Sequence, residues 1–520
     1  MPCRPDWDVI CVGAGITSLA FCATLAVDHP QTRVLVVDKH SIPGGYATHF
    51  RRPKVAAEFE CSLHKLSGMA PGGNLRRIIG RLTRGSGLRF TEASGFFDYI
   101  GAGPLLALGA DEAEVERLLC GAFPGDAAAI SRFFEDVRTH GRNGYFQFQI
   151  LSGERDAPLE QLQYARRHLR GITVAEKFAA EFRNDALKDL LAAPGIYVGG
   201  FPEQMSYLYY LHVIYATLNQ GSAYLAGSAQ QLSDHLVALI RANGGEVLLS
   251  NPARRLLWDE SLRVAGVETR LGVFRAPQVY LNAAPKYAVG ALLADLQPST
   301  LLESRLAALQ NSNSVTTLYL LTDVAPASLG IAAAESMIHG HGYARSLLLR
   351  RAASDEATHE AAYWSAGTME VTNYHAVEAS CGHVLVANVL DVVDHWPIRK
   401  SPGYKPKKRR AERVLFERLC AAYPQLAGHV GYLELSTPRT YERFTNNTAG
   451  AGFGAMVGVD ASGFAFQQSF PIGGVRFLSS WVAGPGYEAA FGYGEAQARQ
   501  WMRSAALAAP ADAALERGAA

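Results

Sequence analysis

The turn Gly13-Ala14-Gly15-Ile16-Thr17-Ser18 constrains this chain most, because of what stands on either side of it. Asp8 to Val12 reads as a short buried strand. Leu19 to Ala26 reads as an apolar helical run, and Arg33 to Val37 as a second strand ending at Asp38. Strand, glycine turn, helix, strand and acid is the order of a dinucleotide-binding βαβ unit. Gly13 permits the tight turn, and Gly15 lets the backbone approach a pyrophosphate. Ile16, Thr17 and Ser18 open the helix, where free N–H groups and the helix dipole favour negative charge. Asp38 follows Gly13 by 25 residues, placed to accept hydrogen bonds from a ribose hydroxyl. Ser18 takes a place where Gly or Ala is usual, and it is small enough for close helix–strand packing.

A chain of 520 residues exceeds one simple core, so two to four domains are expected. With 48% apolar and 19% charged residues it is a folded protein, not a disordered scaffold. A net charge of +1 argues against a general nucleic-acid binder. The seven cysteines are scattered and form no CxxC, which reads as reduced thiols in a cytosolic compartment, with no disulfide framework and no structural zinc. No HExxH, phosphate-loop lysine or Ser-His-Asp order points to metal chemistry or hydrolysis. No secretory leader is read, because Gly13, Gly15 and Thr17 break the apolar run near the start. No apolar span is long enough for a transmembrane helix. The nearest approach, Met205 to Leu218, carries Ser206, His212 and Thr217.

Beyond Asp38 and Lys39, the pair Gly44-Gly45 gives a loop able to pass close to a ligand. Phe59 to Met69 mixes apolar and reactive residues, including Glu60 and His64. From about residue 95 to 219 helical periodicity dominates. Glu112 to Cys120, Ala127 to His140 with Asp126 as cap, and Val174 to Leu191 read as helices, while Tyr145 to Gln149 alternates. Met205 to Tyr215 packs four tyrosines into eleven residues, which suits an apolar pocket wall or an aromatic core. Tyr207, Tyr210 and Tyr215 are the lining candidates. Gln278 to Leu281 reads as a return strand that brings Ala283 and Ala284 beside the dinucleotide. Strands are expected at Thr316 to Asp323 and Val384 to Leu390. A basic run follows, with Arg399, Lys400, Lys405, Lys407, Lys408, Arg409, Arg410 and Arg413. It reads as a solvated helix face or, more sharply, as a docking patch over residues 399–413 for an anionic membrane surface or an acidic carrier protein. Near the end, a strand at Phe477 hands over to glycines and a long helix, giving a second helix N-terminus facing an anion. Gly484, Glu488 and Ala489 lie there, with Tyr487 beside them.

Together these pieces resemble the FAD-dependent amine-oxidase-like superfamily, and within it the phytoene desaturase, carotenoid isomerase and retinol saturase group. The resemblance runs from about Asp6 to Met502. It rests on Gly13 to Ser18, Asp38, Gly44-Gly45, Phe59 to His64 with Gly68, Tyr224 to Leu236, Asn282 to Pro285, Leu435 to Thr440, Gly450 to Gly454 and Phe477 to Gly494. Ser62 and Ser228 stand where that group usually has glycine. The resemblance implies FAD across the βαβ unit and the last strand–helix junction, with an apolar tunnel leading to it. It implies an oxidoreductase working on carbon–carbon double bonds of a lipophilic, isoprenoid or polyene substrate.

The expected fold class is α/β, a Rossmann-like FAD-binding domain of the GR2, amine-oxidase-like type with an inserted mixed α+β substrate domain. Residues 1–95, 220–305 and 431–507 are expected to form the FAD domain, and 96–219 and 306–430 the substrate domain. Residues 508–520 would be a flexible tail. His64 is the candidate for proton transfer. Glu60 is the alternative, with the holding of a loop amide as its other reading. An amine oxidase or other flavin oxidase on a smaller polar substrate is the second functional reading, and a non-catalytic flavoprotein scaffold the third. A cytoplasmic location with peripheral membrane contact is expected. Substrate, redox direction and oligomeric state stay open.

Overall fold

The computed structural model describes residues 6–62, 65–101, 103–151, 155–296, 299–340, 362–459, 466–467, 470 and 472–508. His64 lies outside the described residues, as does the tail 509–520.

Two sheets organise the chain. The first has five parallel strands in the order Glu246–Leu248, Val34–Val37, Val9–Val12, Val279–Leu281, Val475–Phe477. The strands at Val9 and Val34 are buried at every position, as expected of a parallel sheet covered on both faces. Its strands come from the beginning, middle and end of the chain. A three-stranded antiparallel sheet, Ala253–Trp258, Val264–Thr269 and Gly272–Arg275, adds Leu256, Val264 and Val267 to the same core.

The second sheet has seven strands, ordered Val430–Ser436, Ser314–Thr322, Val384–Asp391, Met369–Asn373, Glu335–Ile338, Gly95–Ile100, Leu106–Gly109. Its pairings are antiparallel except that of Glu335–Ile338 with Gly95–Ile100. The helical segment after residue 110 builds its own core around Phe133, Phe178 and Tyr210.

Several local expectations change in the folded chain. Val174 to Leu191 is two helices, Val174–Glu181 and Asp185–Ala192, because Phe182 is extended and Asn184 caps the second through the Leu187 N–H at 3.2 Å. Asp126 does not cap its own helix. Its carboxylate accepts from the Arg183 and Asn184 N–H groups at 2.9 and 3.0 Å, tying two helices together. Tyr145 to Gln149 spans two short helices, Arg142–Tyr145 and Gln147–Leu151, with Phe146 as the turn between them; five alternating residues are too short a stretch to fix a period. The basic run lies largely on the helix Tyr404–Ala422. Lys400, Lys405, Arg409 and Arg413 are exposed, but Lys407 is buried over the rings of Trp364 and Trp396. Among the described residues no helix is long and apolar enough to cross a membrane.

Glu60 ends the strand Ala57–Glu60 and is buried. Its Oε1 accepts from the Ala229 N–H at 2.9 Å, at the start of the helix Ala229–Ala242. Ser228, the N-cap residue of that helix, makes no side-chain cap bond, so Glu60 supplies the cap from a distant segment. Among the described residues its Oε2 has no hydrogen-bond partner, and burial pushes the carboxyl up to about 8. The first helix, Ile16–Asp28, packs against the last, Tyr487–Ala508, at Gly494. A Cβ on Gly494 would stand 2.8 Å from the Thr17 carbonyl oxygen and 3.0 Å from the Phe21 nitrogen.

Two predictions follow from these contacts. Gly494→Ala presses a methyl group onto backbone and should lower stability by about 1–3 kcal/mol. An unchanged urea midpoint would show that the two helices separate freely. For Glu60, the folded pKa lies above the ordinary carboxyl value of about 4.3. The folded chain therefore holds a proton that the unfolded chain releases, and stability falls as pH rises from about 4 to about 8. Glu60→Gln keeps an oxygen for Ala229 and cannot ionise. Its melting temperature should gain on the wild type progressively over that range and level off above it, whereas a constant difference would contradict a protonated Glu60.

Candidate cofactor and substrate site

The glycine turn is built against Asn282 as much as against a ligand. Gly13 has φ +104°, and a Cβ there would fall 2.4 Å from the Asn282 carbonyl oxygen. A Cβ on Gly15 would fall 2.4 Å from Asn282 Oδ1. Asn282 donates its backbone N–H to the Val12 carbonyl at 2.8 Å and its side-chain amide to the Leu478 carbonyl at 2.6 Å. It thereby joins three neighbouring strands at the turn. Ser18 is fully buried behind the turn, and its hydroxyl hydrogen-bonds the Gly13 and Gly15 carbonyls at 2.5 and 3.0 Å. It holds the turn closed and is not on the cavity wall.

The residues present fit a flavin dinucleotide. The helix Ile16–Asp28 has neither a side-chain cap nor an acid in its first turn, so its leading N–H groups are open to an anion. Asp38 braces the cradle. Its carboxylate accepts from the Ala14 N–H at 2.6 Å and the His40 N–H at 2.7 Å, and it still lines the cavity with lone pairs for ribose hydroxyls. The Gly44 N–H donates to the Ala14 carbonyl at 2.7 Å, laying the Gly44-Gly45 loop beside the turn. Lys39 reaches Asn446 Oδ1 at 2.6 Å, and burial lowers its pKa. Ile16, Thr17, Gly45, Ala283 and Ala489 are on the wall. Ala284 is buried behind it, and Gly484, with φ +94°, turns the chain into the last helix.

From this cradle one cavity of about 960 Å³ continues between the two sheets and the helical segment. That is the upper end of the range for small-molecule sites, enough for a cofactor and a substrate together. Ile196, Val198, Val213, Val315, Leu435 and Phe453 give it apolar walls. The tyrosine-rich helix, Tyr207–Leu218, faces it with a different set from the one expected. Tyr209, His212, Val213 and Ala216 line the cavity. Tyr207, Tyr210 and Tyr215 lie off that face. Tyr207 donates to Asp136 at 2.8 Å, Tyr210 to the Leu191 carbonyl, and Tyr215 accepts from Gln220 at 3.3 Å. Helical periodicity separates the two sets, because 209, 212, 213 and 216 share one stripe. Tyr487 does line the cavity.

Glu488 is also on the wall. It occupies the space that a side chain at Gly68 would take, with Oε1 only 2.2 Å from an added Cβ. Ser67 donates to its Oε2 at 2.7 Å, and the Tyr145 hydroxyl donates to its Oε1. Burial raises its pKa to about 7, against these two hydrogen bonds. The His212 ring lies 5.8 Å from that of Tyr145 and 5.5 Å from that of Tyr209, and burial lowers its pKa to about 4, so it is neutral near pH 7. Glu60 is not on the wall. Among the described residues no cluster of His, Cys, Asp and Glu could hold a metal ion.

A family described as an NAD(P)-binding Rossmann-like domain matches residues 11–82. The chain is 23% identical over 483 residues to the all-trans-retinol 13,14-reductase of Danio rerio, covering 87% of this chain and 78% of that protein. It is also 23% identical over 464 residues to a protein of the same organism named inactive all-trans-retinol 13,14-reductase, covering 83% and 74%. An oxidoreductase from Methanosarcina mazei matches in structure with a TM-score of 0.63 at 12% identity, over 95% of this chain and 100% of that one. Cyclohexylamine oxidase from Brevibacterium oxydans IH-35A matches with a TM-score of 0.59 at 17% identity, over 96% and 100%. The chain thus has the fold of the FAD-dependent amine-oxidase-like flavoproteins, and its relatives over most of its length include all-trans-retinol 13,14-reductase.

Proposed function

We propose that this protein is an FAD-dependent oxidoreductase that saturates a carbon–carbon double bond in a lipophilic polyene. The observation that carries the reading is the continuous cavity, which joins a dinucleotide cradle to an apolar wall bearing a carboxyl group. Saturation is the direction for which its Danio rerio relative is named. A bound flavin supplies hydride transfer to or from carbon. The chain supplies the rest. The open N–H groups at the start of Ile16–Asp28 would hold the diphosphate, and Asp38 the ribose. The apolar wall excludes water around the polyene. Glu488, steadied by Ser67 and Tyr145, carries the proton that saturation adds to carbon.

A second reading, oxidation of an amine, draws on Glu488 beside the rings of Tyr145, Tyr209 and His212, since a carboxylate among aromatic faces suits an ammonium group. The partner we assign to the exposed Lys400, Lys405, Arg409 and Arg413 is an anionic bilayer surface. Ile398 and Phe444 stand 74% and 48% exposed in the same region, ready to enter headgroups. We place the protein in the cytoplasm, at that surface.

The purified protein should show flavin absorption and release FAD on denaturation. It should saturate a conjugated polyene under a chemical reductant. Flavin without turnover on polyene or amine would favour a non-catalytic flavoprotein; no flavin after reconstitution would end the reading. Saturation needs Glu488 protonated, so the rate should fall as pH rises through about 7, and Glu488→Gln should lose both most of the rate and that inflection. Amine oxidation would rise through the same pH instead. Sedimentation with vesicles containing anionic lipid, lost in a Lys400→Glu/Lys405→Glu/Arg409→Glu variant and absent with neutral vesicles, tests the surface.

A further inference from the structure

Lys65 and Ser67 flank Leu66, whose side chain is buried in the main core, so the two share the opposite, cavity-facing side of this segment. Ser67 holds Glu488. The Lys65 ammonium is itself buried, with a side chain 3% exposed, and pairs at 2.7 Å with Glu335, which is 1% exposed. It also donates to the Phe96 carbonyl and lies near the rings of Phe96 and Tyr197. Tyr197 and Tyr224 donate to the two Glu335 oxygens at 2.6 and 3.3 Å. Glu370, on the strand next to Glu335, lines the cavity with Asn388, which donates to it at 2.7 Å.

An ammonium group has three N–H donors. Among the described residues Glu335 and Phe96 engage two, which leaves one donor of this wall residue for a ligand. A buried ion pair is a poor source of stability, because an apolar pair of similar volume usually does as well. Its place on the cavity wall therefore calls for a ligand. Glu335 already balances the charge of Lys65, so the remaining donor suits a neutral oxygen acceptor better than a second carboxylate, and it can strengthen its hydrogen bond as negative charge develops on that oxygen.

We propose that Lys65, positioned by Glu335, binds the carbonyl oxygen of an α,β-unsaturated carbonyl substrate, with Glu488, held by Ser67 two residues along the chain from Lys65, serving the α carbon. The inference rests on the saturation reading above and narrows its substrate to a conjugated ketone or aldehyde. A hydride from a reduced two-electron donor forms the C–H bond at the β carbon. The C=C electron pair shifts toward the carbonyl, whose oxygen takes negative charge beside the Lys65 ammonium. That charge returns as the α carbon takes the Glu488 proton, and Glu488 recovers a proton from water. The carbon pair is reduced by two electrons and the donor is oxidised by two. Lys65 is the catalytic residue here, and Glu335 a positioning residue.

The test uses the holoenzyme with three probes sharing one conjugated chain: a methyl ketone, the matching secondary alcohol and the hydrocarbon. Binding is read from polyene absorbance, and turnover separately. The ketone should bind with a red-shifted absorption and be reduced about a hundredfold faster in kcat than the alcohol. Lys65→Met leaves Glu335 buried and unpaired, so the neutral double variant Lys65→Met/Glu335→Gln is also used. It should lose the red shift and the ketone advantage while binding the hydrocarbon as before, and Lys65→Arg should restore part of both. Equal shifts in wild type and double variant, or equal rates for ketone and alcohol, would overturn the Lys65 assignment and leave the saturation reading standing. If none of the probes binds the wild type, the polyene reading fails, and this subsite with it.

Discussion

Two helix N-termini open toward one cavity, and the contact that allows it is backbone on backbone. Gly494 lets the last helix lie against the Thr17 carbonyl of the first. The first helix faces the cradle with uncapped N–H groups, and the last begins at Tyr487 and Glu488 on the same wall. A parallel sheet makes this natural, since its strands deliver their C-terminal ends to one edge, where helices start. Here the strands that end near the site come from residues 9, 34, 279 and 475, so the pocket closes only when both ends of the chain are in place. Asn282 shows how close the fit is, because it fills the space that side chains at Gly13 and Gly15 would need.

The legible part of the site was local. Gly13, Gly15, Asp38 and the Gly44-Gly45 loop sit within one βαβ unit, where spacing along the chain fixes spacing in space, and the last strand–helix junction repeats the logic. What stayed hidden depended on phase or on distance. Residue type alone nominates the tyrosines at 207, 210 and 215, and the helix turns them off the cavity face. Tyr209 and His212 share the right stripe and could have been found from periodicity. Lys65 could not. Its partner Glu335 is brought to it by sheet pairing, through Gly95–Ile100 and Glu335–Ile338, and no local pattern records that register. Likewise, nothing near Asp126 foretold that it would bind the amides of Arg183 and Asn184.

Glu60 and Glu488 show why a perturbed carboxyl is a poor guide without geometry. Burial lifts both, to about 8 and about 7. Glu60 uses its oxygen on the first amide of a helix and is walled off from the cavity, so its pKa is raised chiefly by burial, against the capping bond. Glu488 makes no such backbone bond. Its two partners are hydroxyls, which hold the carboxyl in place while still able to exchange roles as the proton comes and goes. A group that must give up a proton and take it back in each turnover needs neighbours tolerant of both states, and hydroxyls are donors and acceptors where an amide is only a donor. That difference in partners, more than the size of either shift, separates the structural carboxyl from the reactive one.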